Sequence, residues 1–207
     1  MGTIRDYIFR LDTMAEKLFA IMDAEGKFKV GGEGIIVETD ECLVKQGKED
    51  VWVVGVLERE VRDDGEGAAA RKAAFMITRR RDEDTLVGFI WGRVEEGSVL
   101  ISDCWRGYTD LLDDHSRTHG EHSVEYGYTA VVGDVTIPIN TNHIEREWVE
   151  VRKALKHRRF STYRNVLMRE SYRLWFLNGL TPDEKRDQVL RSIGVVTQAR
   201  AKEHGRN

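Results

Sequence analysis

The sequence is poor in the residues that mark several common protein classes. It contains only two cysteines and two prolines among 207 residues. Two cysteines without paired spacing argue against a disulfide-stabilised scaffold and are typical of a reducing compartment. With so few prolines and no Ser/Gly-rich linker, no boundary between domains stands out. Because 33% of the residues are charged, we expect one sizeable core with long, charged surface helices.

The sequence also lacks a long hydrophobic run. No stretch approaches the roughly 18 consecutive apolar residues that a transmembrane helix requires. The N-terminal segment MGTIRDYIFRLDTMAEK carries charges throughout, so it is not a secretory signal peptide. We therefore expect an intracellular protein with no membrane partner, located in the nucleus if the host is eukaryotic and in the cytoplasm or nucleoid if it is prokaryotic.

The charge is slightly acidic overall and uneven along the chain. A net charge of −4 argues against a surface wholly devoted to nucleic acid. Between residues 152 and 173, however, eight lysine and arginine residues stand against Glu170 alone. Such a segment either lines a polyanion or forms a solvated helix face, and its charge alone favours the second interpretation.

Hydrophobic periodicity predicts a mixed α/β fold. A long polar connection containing glycine joins the second and third strands, and Gly97 is the expected C-cap of the helix that follows them. Three antiparallel strands feeding a βαβ unit indicate a mixed sheet with helices packed on it. In chain order we predict helix 3–24, strands 35–44, 51–60 and 71–80, helix 82–97, strand 99–103, helix 108–115, strand 121–127, and helices 140–159, 162–177 and 181–193.

Three acidic residues stand where an apolar element begins or ends. Asp40 lies in the first strand, where alternation places it on the same face as Glu38 and Cys42. Asp103 ends the fourth strand, and Glu145 lies in the first turn of a long helix. Acids that converge from strand ends and a helix suit an oxygen-liganded divalent ion such as Mg²⁺ or Mn²⁺. Two such ions would support phosphodiester chemistry.

Each of these acids has a structural alternative that spacing alone leaves open. Asp40 is compatible with an exposed charge on an edge strand, and Asp103 with a cap on the helix that follows it. Glu145 comes three residues after Asn142, which is close to the spacing of a capping box.

Several linked sequence blocks carry a family resemblance. The segments GGEGIIVETDECLV, VWVVGVLERE, GSVLISDCWRGY, EHS and NTNHIEREWVEVRKALK occur in the same order as in the ISXO2-like, or IS1595-group, transposases, especially the eukaryotic Merlin-type elements. The resemblance covers residues 28–178 and implies an RNase H-like fold with a central five-stranded mixed sheet flanked by helices. On this basis we expect an N-terminal helix and linker (1–30), a DDE catalytic domain (31–178) and a charged helical tail (179–207).

The resemblance implies metal-dependent cleavage of DNA at transposon ends, followed by strand transfer. The three acids of the family match Asp40, Asp103 and Glu145, which would bind two Mg²⁺ or Mn²⁺ ions. Glu38 and Glu41 flank the first acid without a catalytic role of their own, although either would be placed to assist from behind the metal ligands. For that supporting role we name Glu41 and His122.

The resemblance also implies partners. The expected partners are DNA, both as transposon ends and as target, and further copies of the chain in a synaptic complex. The residues expected to contact DNA are Arg106, Asn142, Lys153, Lys156, Arg158 and Arg159.

The sequence departs from the family pattern at several points. Asn140 stands where the family usually has histidine, and Arg146 follows the third acid where a small residue is usual. The interval from Asp103 to Glu145 is longer than expected, and only about 30 residues precede the first strand, where relatives carry a DNA-binding segment. Three alternatives therefore stay open: a shortened or inactive enzyme, a domesticated protein that binds only DNA or protein, and an RNase H-like nuclease outside transposition.

The remaining candidates have plainer explanations. Three histidines between residues 115 and 122 come near Cys104, but no CxxC motif accompanies them, so we do not expect a structural zinc. Cys42 and Cys104 lack a recognisable paired base and are expected to be small buried fillers. The TRRR run at residues 78–81 is either a solvated strand end or a patch that contacts a DNA backbone.

Overall fold

The structure, a computed structural model, describes residues 3–61, 67–103, 118–122, 129–132, 135–178 and 180–204. A 3₁₀ turn spans Phe160–Thr162, and a π-helical turn spans Arg173–Leu177. In chain order the elements are α1 (Ile4–Ala24), β1 (Ile36–Lys45), β2 (Val51–Val61), β3 (Gly67–Thr78), α2 (Glu83–Arg93), β4 (Val99–Asp103), β5 (Thr118–His122), β6 (Thr129–Val132), β7 (Val135–Pro138), α3 (Asn142–Leu155), α4 (Tyr163–Tyr172) and α5 (Pro182–His204).

Five of the strands form one mixed sheet in the order β3-β2-β1-β4-β5. β2 pairs antiparallel with both β1 and β3, whereas β4 pairs parallel with β1 and β5 pairs parallel with β4. β6 and β7 form a separate antiparallel pair. The predicted mixed α/β fold with a central five-stranded sheet is therefore confirmed.

The central strands are apolar where helices cover the sheet. Ile36 and Val37 of β1 and Leu100 and Ile101 of β4 are 0–1% exposed. A strand that is buried on both faces reads as a continuous hydrophobic run, which explains the sequence of β4. In β1 the run is interrupted by the equally buried Glu38, and this polar residue in the core leads to the site described below.

Some predicted boundaries were wrong. α2 ends at Arg93 and its C-cap is Val94, not Gly97, because the backbone of Val94 leaves the helix to form a parallel bridge with Val30. Gly97 instead occupies a turn before β4 with φ of 78°, where a side chain would meet Glu33. β5 begins at Thr118, three residues before the predicted start, and the rest of that prediction, residues 123–127, lies outside the described residues. The β6/β7 pair was not predicted. The predicted helix 108–115 lies outside the described residues.

The two longest helices begin with reciprocal capping contacts. At α1 the Thr3 hydroxyl accepts from the Asp6 backbone N–H, and the Asp6 carboxylate accepts from the Thr3 N–H. Thr181 and Glu184 make the same exchange at α5, which confirms Thr181 as the predicted N-cap. Within the part of the chain that the structure describes, no helix is long and apolar enough to cross a membrane.

The chain divides into two compact units. One comprises residues 29–158 and contains the sheet, and the other joins residues 1–28 to residues 159–207. In the second unit α1 packs against α4 and α5. The predicted domain boundaries at residues 30 and 178 stay a prediction.

An aromatic cluster forms the core of the second unit. Phe19 is 1% exposed, and the centroid of its ring lies 4.2 Å from that of Phe28 and 5.6 Å from that of Trp175.

We expect Phe19→Ala to lower the free energy of unfolding by about 3–5 kcal/mol, because it opens a cavity among these rings. Phe9→Ala, on the same helix at 69% exposure, should change it by less than about 0.5 kcal/mol. Urea unfolding followed by circular dichroism measures both, and equal effects would contradict this packing.

Candidate active site

Asp40 lies in the middle of the sheet, on β1, and its side chain is half-buried. Asp40 is opposite Gly55 of β2 in the antiparallel ladder. The indole Nε1–H of Trp148, on α3, donates a hydrogen bond of 2.7 Å to Asp40 Oδ2. Because β1 is a central strand, the alternative of an exposed charge on an edge strand is wrong.

Asp40 and Asp103 lie on neighbouring strands of the sheet. β1 and β4 run parallel, with Val37 opposite Leu100 and Glu38 opposite Ile101. This pairing ends at Glu38 and Ile101; the same register, continued by two residues along both strands, would place Asp40 beside Asp103. On the other side of β4, Asp103 is opposite His122 of β5. Asp103 and His122 are thus the last residues of two paired parallel strands, whereas Asp40 lies midway along β1.

Glu145 lies in the first turn of α3 and is exposed. The hydroxyl of Thr141, the N-cap residue, donates a hydrogen bond of 2.8 Å to Glu145 Oε1 and makes no side-chain bond to the helix backbone. The capping-box alternative with Asn142 is therefore wrong. Glu145 precedes Trp148 by three residues, so the two side chains are neighbours on the surface of the helix. The turn that carries Glu145 is consequently adjacent to the indole that contacts Asp40.

The start of α3 is fixed by Glu38, whose side chain is fully buried. Glu38 Oε2 accepts hydrogen bonds of 2.9 Å from the backbone N–H groups of His143 and Ile144. Glu38 Oε1 accepts one of 3.0 Å from Arg59 Nη1, and a further bond of 2.8 Å joins it to His143 Nδ1. A carboxylate here satisfies N–H groups that have no partner within the helix and complements the positive end of the helix dipole.

Sequence reasoning assigned Glu38 no role of its own beyond assistance behind the metal ligands. Its contacts instead anchor the helix that carries Glu145. Two signals in the sequence pointed to Glu38: an acid inside an apolar strand, and a position on the same face as Asp40. Neither signal names its partners, which are more than 100 residues away for His143 and Ile144.

The face of β1 that carries Asp40 contacts α3 at three successive levels. Glu38 accepts hydrogen bonds at the start of α3, Asp40 accepts one from Trp148, and Arg152 lies near enough to the thiol of Cys42 to influence its pKa. Two strand residues advance about 6.7 Å and four helix residues about 6 Å, so strand and helix stay in step. Burial raises the pKa of Cys42, while Arg152 acts in the opposite direction. A buried, protonated thiol agrees with the predicted role of a filler.

Glu41 lies on the opposite face of β1 from Asp40, as strand alternation requires. Its buried carboxylate forms an ion pair with Arg81, whose guanidinium lies 4.6 Å from the centre of the Trp52 ring. These contacts give Glu41 a structural partner of its own, Arg81. Its supporting role at a metal site stays a prediction.

The predicted DNA-contacting residues on α3 and directly after it are exposed. Asn142 is the first residue of α3, Lys153 pairs with Glu150 at 2.7 Å, and Lys156 is the C-cap. Arg158 and Arg159 are exposed as well. Arg106 lies outside the described residues, as does Cys104.

The TRRR run is not an array of uncompensated positive charges. Each of its arginines forms an ion pair with an acidic residue of the same unit. The pairs are Arg79 with Glu49, Arg80 with Asp82, and Arg81 with Glu41.

Asp40 and Glu145 have the donor chemistry that a hard divalent cation requires, because both offer carboxylate oxygens. Among the side chains that the structure describes, no three His, Cys, Asp or Glu groups are close enough together to hold a metal ion. The carboxyl group of Asp103 lies outside that set. The predicted assignment of all three acids as metal ligands stays a prediction.

Residues 26–173 match the family model of the ISXO2-like transposase domain. The match spans most of the chain and contains Asp40, Asp103 and Glu145. The family resemblance inferred from the sequence blocks is confirmed, whereas the closeness to Merlin-type elements stays a prediction. None of the curated proteins matches this sequence.

Two solved structures resemble the fold at low sequence identity. The catalytic core domain of HTLV-2 integrase, solved in complex with magnesium in a trimeric form, has 10% identity and a TM-score of 0.46 over 73% of this chain and 92% of that chain. A chain of the simian T-cell lymphotropic virus intasome, solved in complex with the PP2A regulatory subunit B56 gamma, has 14% identity and a TM-score of 0.45. The second match covers 74% of this chain and 52% of that chain, so it spans about half the length of the intasome chain.

The anchoring role of Glu38 is testable by Glu38→Gln. The amide keeps the size of the carboxylate, but it removes the negative charge beside Arg59 and presents only one oxygen to the donors around it. We expect the free energy of unfolding to fall by about 3 kcal/mol, as when one partner of a buried ion pair is lost. Glu96→Gln, in the exposed turn before β4, is the control and should change it by less than about 0.5 kcal/mol. If urea unfolding gave the same midpoint for both variants, Glu38 would not anchor the helix.

Proposed function

The chain belongs to the family of ISXO2-like transposase domains, and we propose that it is a DDE-type catalytic domain that cuts DNA at transposon ends and joins the cut end to target DNA. The observation that supports the proposal is the placement of the acids on the fold. β1 and β4, which carry Asp40 and Asp103, are adjacent parallel strands, and the helix that contacts Asp40 carries Glu145. The mixed five-stranded sheet is the RNase H-like fold that the family implies.

Asp40, Asp103 and Glu145 would hold Mg²⁺ or Mn²⁺, and we propose two ions. When bound, these ions supply Lewis-acid stabilisation of the charge that develops on the reacting phosphate. The contribution of the chain is to place the carboxylates before substrate arrives. Trp148 donates to Asp40, Thr141 donates to Glu145, and Glu38 fixes the helix that carries both donors and Glu145. Such preorganisation avoids reorganisation during the reaction.

The proposed reaction consists of two in-line displacements at phosphorus. In the first, water attacks the phosphate at the transposon end, and the bond to the 3′ oxygen breaks to leave a free 3′-hydroxyl. In the second, this hydroxyl attacks a phosphate of the target DNA, a new 3′ ester forms, and the target strand is the leaving group. Both displacements need one arrangement of acids, so a single site suffices.

The DNA backbone would be bound by the cations at and after the end of α3. Lys153, Lys156 and Arg158 are exposed there, and phosphate contacts by such side chains position DNA without reading its sequence. Arg159, Asn142 and Arg106 complete the proposed contact set. We further propose that copies of the chain associate around the two transposon ends.

A second candidate function is DNA binding without cleavage. The family usually has histidine where this chain has Asn140. The side-chain oxygen of Asn140 accepts a hydrogen bond of 3.2 Å from the backbone N–H of Asn142, the first residue of α3. A domesticated protein of this kind would retain DNA and leave it uncut whatever divalent ion is added. An RNase H-like nuclease outside transposition would cut without preference for element ends.

The proposed function is tested by Asp103→Asn in an assay of Mg²⁺- or Mn²⁺-dependent nicking and strand transfer. The substrate is a duplex that ends in the inverted repeats flanking the coding DNA. We expect the rate to fall by about 100-fold or more, because the amide removes the charge of one metal ligand. Asp84→Asn, on the exposed side of α2, is the matched control and should cut like the wild type. Undiminished activity of the Asp103 variant would end the assignment.

A further inference from the structure

Trp148 makes a contact that general core packing does not require. Its side chain is 4% exposed, and its ring centroid lies 5.8 Å from that of Phe75 on β3. From this buried position the indole Nε1–H donates to Asp40 Oδ2 at 2.7 Å, a short hydrogen bond to a carboxylate. One edge of the ring therefore packs against the sheet while the nitrogen holds the first of the three acids.

Gly55 provides the space in which the indole lies. It is opposite Asp40 on the neighbouring strand, in a run of otherwise large apolar residues. A Cβ atom on Gly55 would lie 2.6 Å from Trp148 Cη2, 3.0 Å from Phe75 Cδ1 and 3.1 Å from Ile144 Cδ1. The backbone of Gly55 does not have the positive φ that would itself require glycine. Glycine inside a strand weakens the strand and marks a close approach by another group, which here is the indole.

We propose that Trp148 is a positioning residue for Asp40 and that Gly55 is the position that admits it. The indole binds one carboxylate oxygen and thereby restricts rotation of the Asp40 side chain. The catalytic consequence rests on the proposed function, in which Asp40 holds a divalent ion. Loss of a group that orients a metal ligand typically lowers metal affinity or activity by about 10- to 100-fold.

Substitutions at the two positions separate the hydrogen bond from the packing. Trp148→Phe keeps an aromatic ring and removes the N–H donor. Gly55→Ala keeps the donor but pushes a methyl group into the space of the indole. Because phenylalanine lacks the atom that the methyl group would meet, the double variant Gly55→Ala/Trp148→Phe should recover the folding stability that Gly55→Ala loses.

The first measurement is Mn²⁺ affinity of the full chain by calorimetry. We expect Trp148→Phe, Gly55→Ala and the double variant each to bind Mn²⁺ about 10- to 100-fold more weakly than the wild type. Gly88→Ala and Trp91→Phe, both on α2, are matched controls and should bind like the wild type; a Cβ on Gly88 would meet nothing within 4 Å. Affinity restored together with stability in the double variant would show that packing alone matters and would overturn the proposal.

The second measurement needs neither metal nor DNA. The indole N–H resonance of Trp148 is identified in a ¹⁵N-labelled chain by its loss in Trp148→Phe. We expect Asp40→Asn to shift this resonance upfield, because the charged acceptor is lost, and Gly55→Ala to shift it in the same direction. An unchanged resonance in Asp40→Asn would overturn the positioning contact.

The outcomes distinguish the inference from the proposed function. If the wild type and Trp148→Phe bind Mn²⁺ equally well, the inference is refuted and the function is left intact. A wild-type chain that binds no Mn²⁺ and cuts no DNA refutes the function, and the role of Trp148 in holding a metal ligand falls with it.

Discussion

The site depends on one buried carboxylate. Glu38 accepts four hydrogen bonds, from Arg59, from the His143 ring and from two backbone N–H groups at the start of α3. Burying a charge is costly, and a buried ion pair often stabilises a fold no more than a well-packed pair of apolar residues would. What the charge adds is specificity, because only one placement of the helix end satisfies the carboxylate. The positions of Glu145 and Trp148 along β1 follow from that placement.

The sheet supplies the complementary constraint through its mixed strand order. Parallel pairing with β4 makes the strand of Asp103 the neighbour of β1 on one side, and antiparallel pairing with β2 places Gly55 opposite Asp40 on the other side. Gly55 and Arg59 lie four residues apart on β2, and alternation places them on one face. The first leaves room for the indole, and the second neutralises Glu38. β2, through Gly55 and Arg59, is therefore part of the site.

Sequence patterns predicted the elements well and the contacts between them poorly. The periodicity of α1 and the apolar run of β4 are local, and the linked blocks around Asp40, Asp103 and Glu145 identified the family. THGEH, which forms β5, has no apolar alternation, so its strand depends on pairing with β4. The roles of Glu38 and Gly55 depend on partners about 90 to 105 residues away, and periodicity carries no information about such partners.

An acidic site that acts on DNA must overcome repulsion from the phosphates, and α3 places the compensating charges. Glu145 lies in its first turn and Arg152 and Lys153 lie in its last turn, where the helix dipole favours an acid and a base respectively. The same order that stabilises the helix thus separates the two charges. At 1.5 Å per residue, Glu145 and Lys153 are about 12 Å apart along the axis, roughly the rise of three to four nucleotides of a DNA strand. On the proposed function, a strand that reacts at the acids would reach the cations a few phosphates away, where like-charge repulsion from the acids is screened.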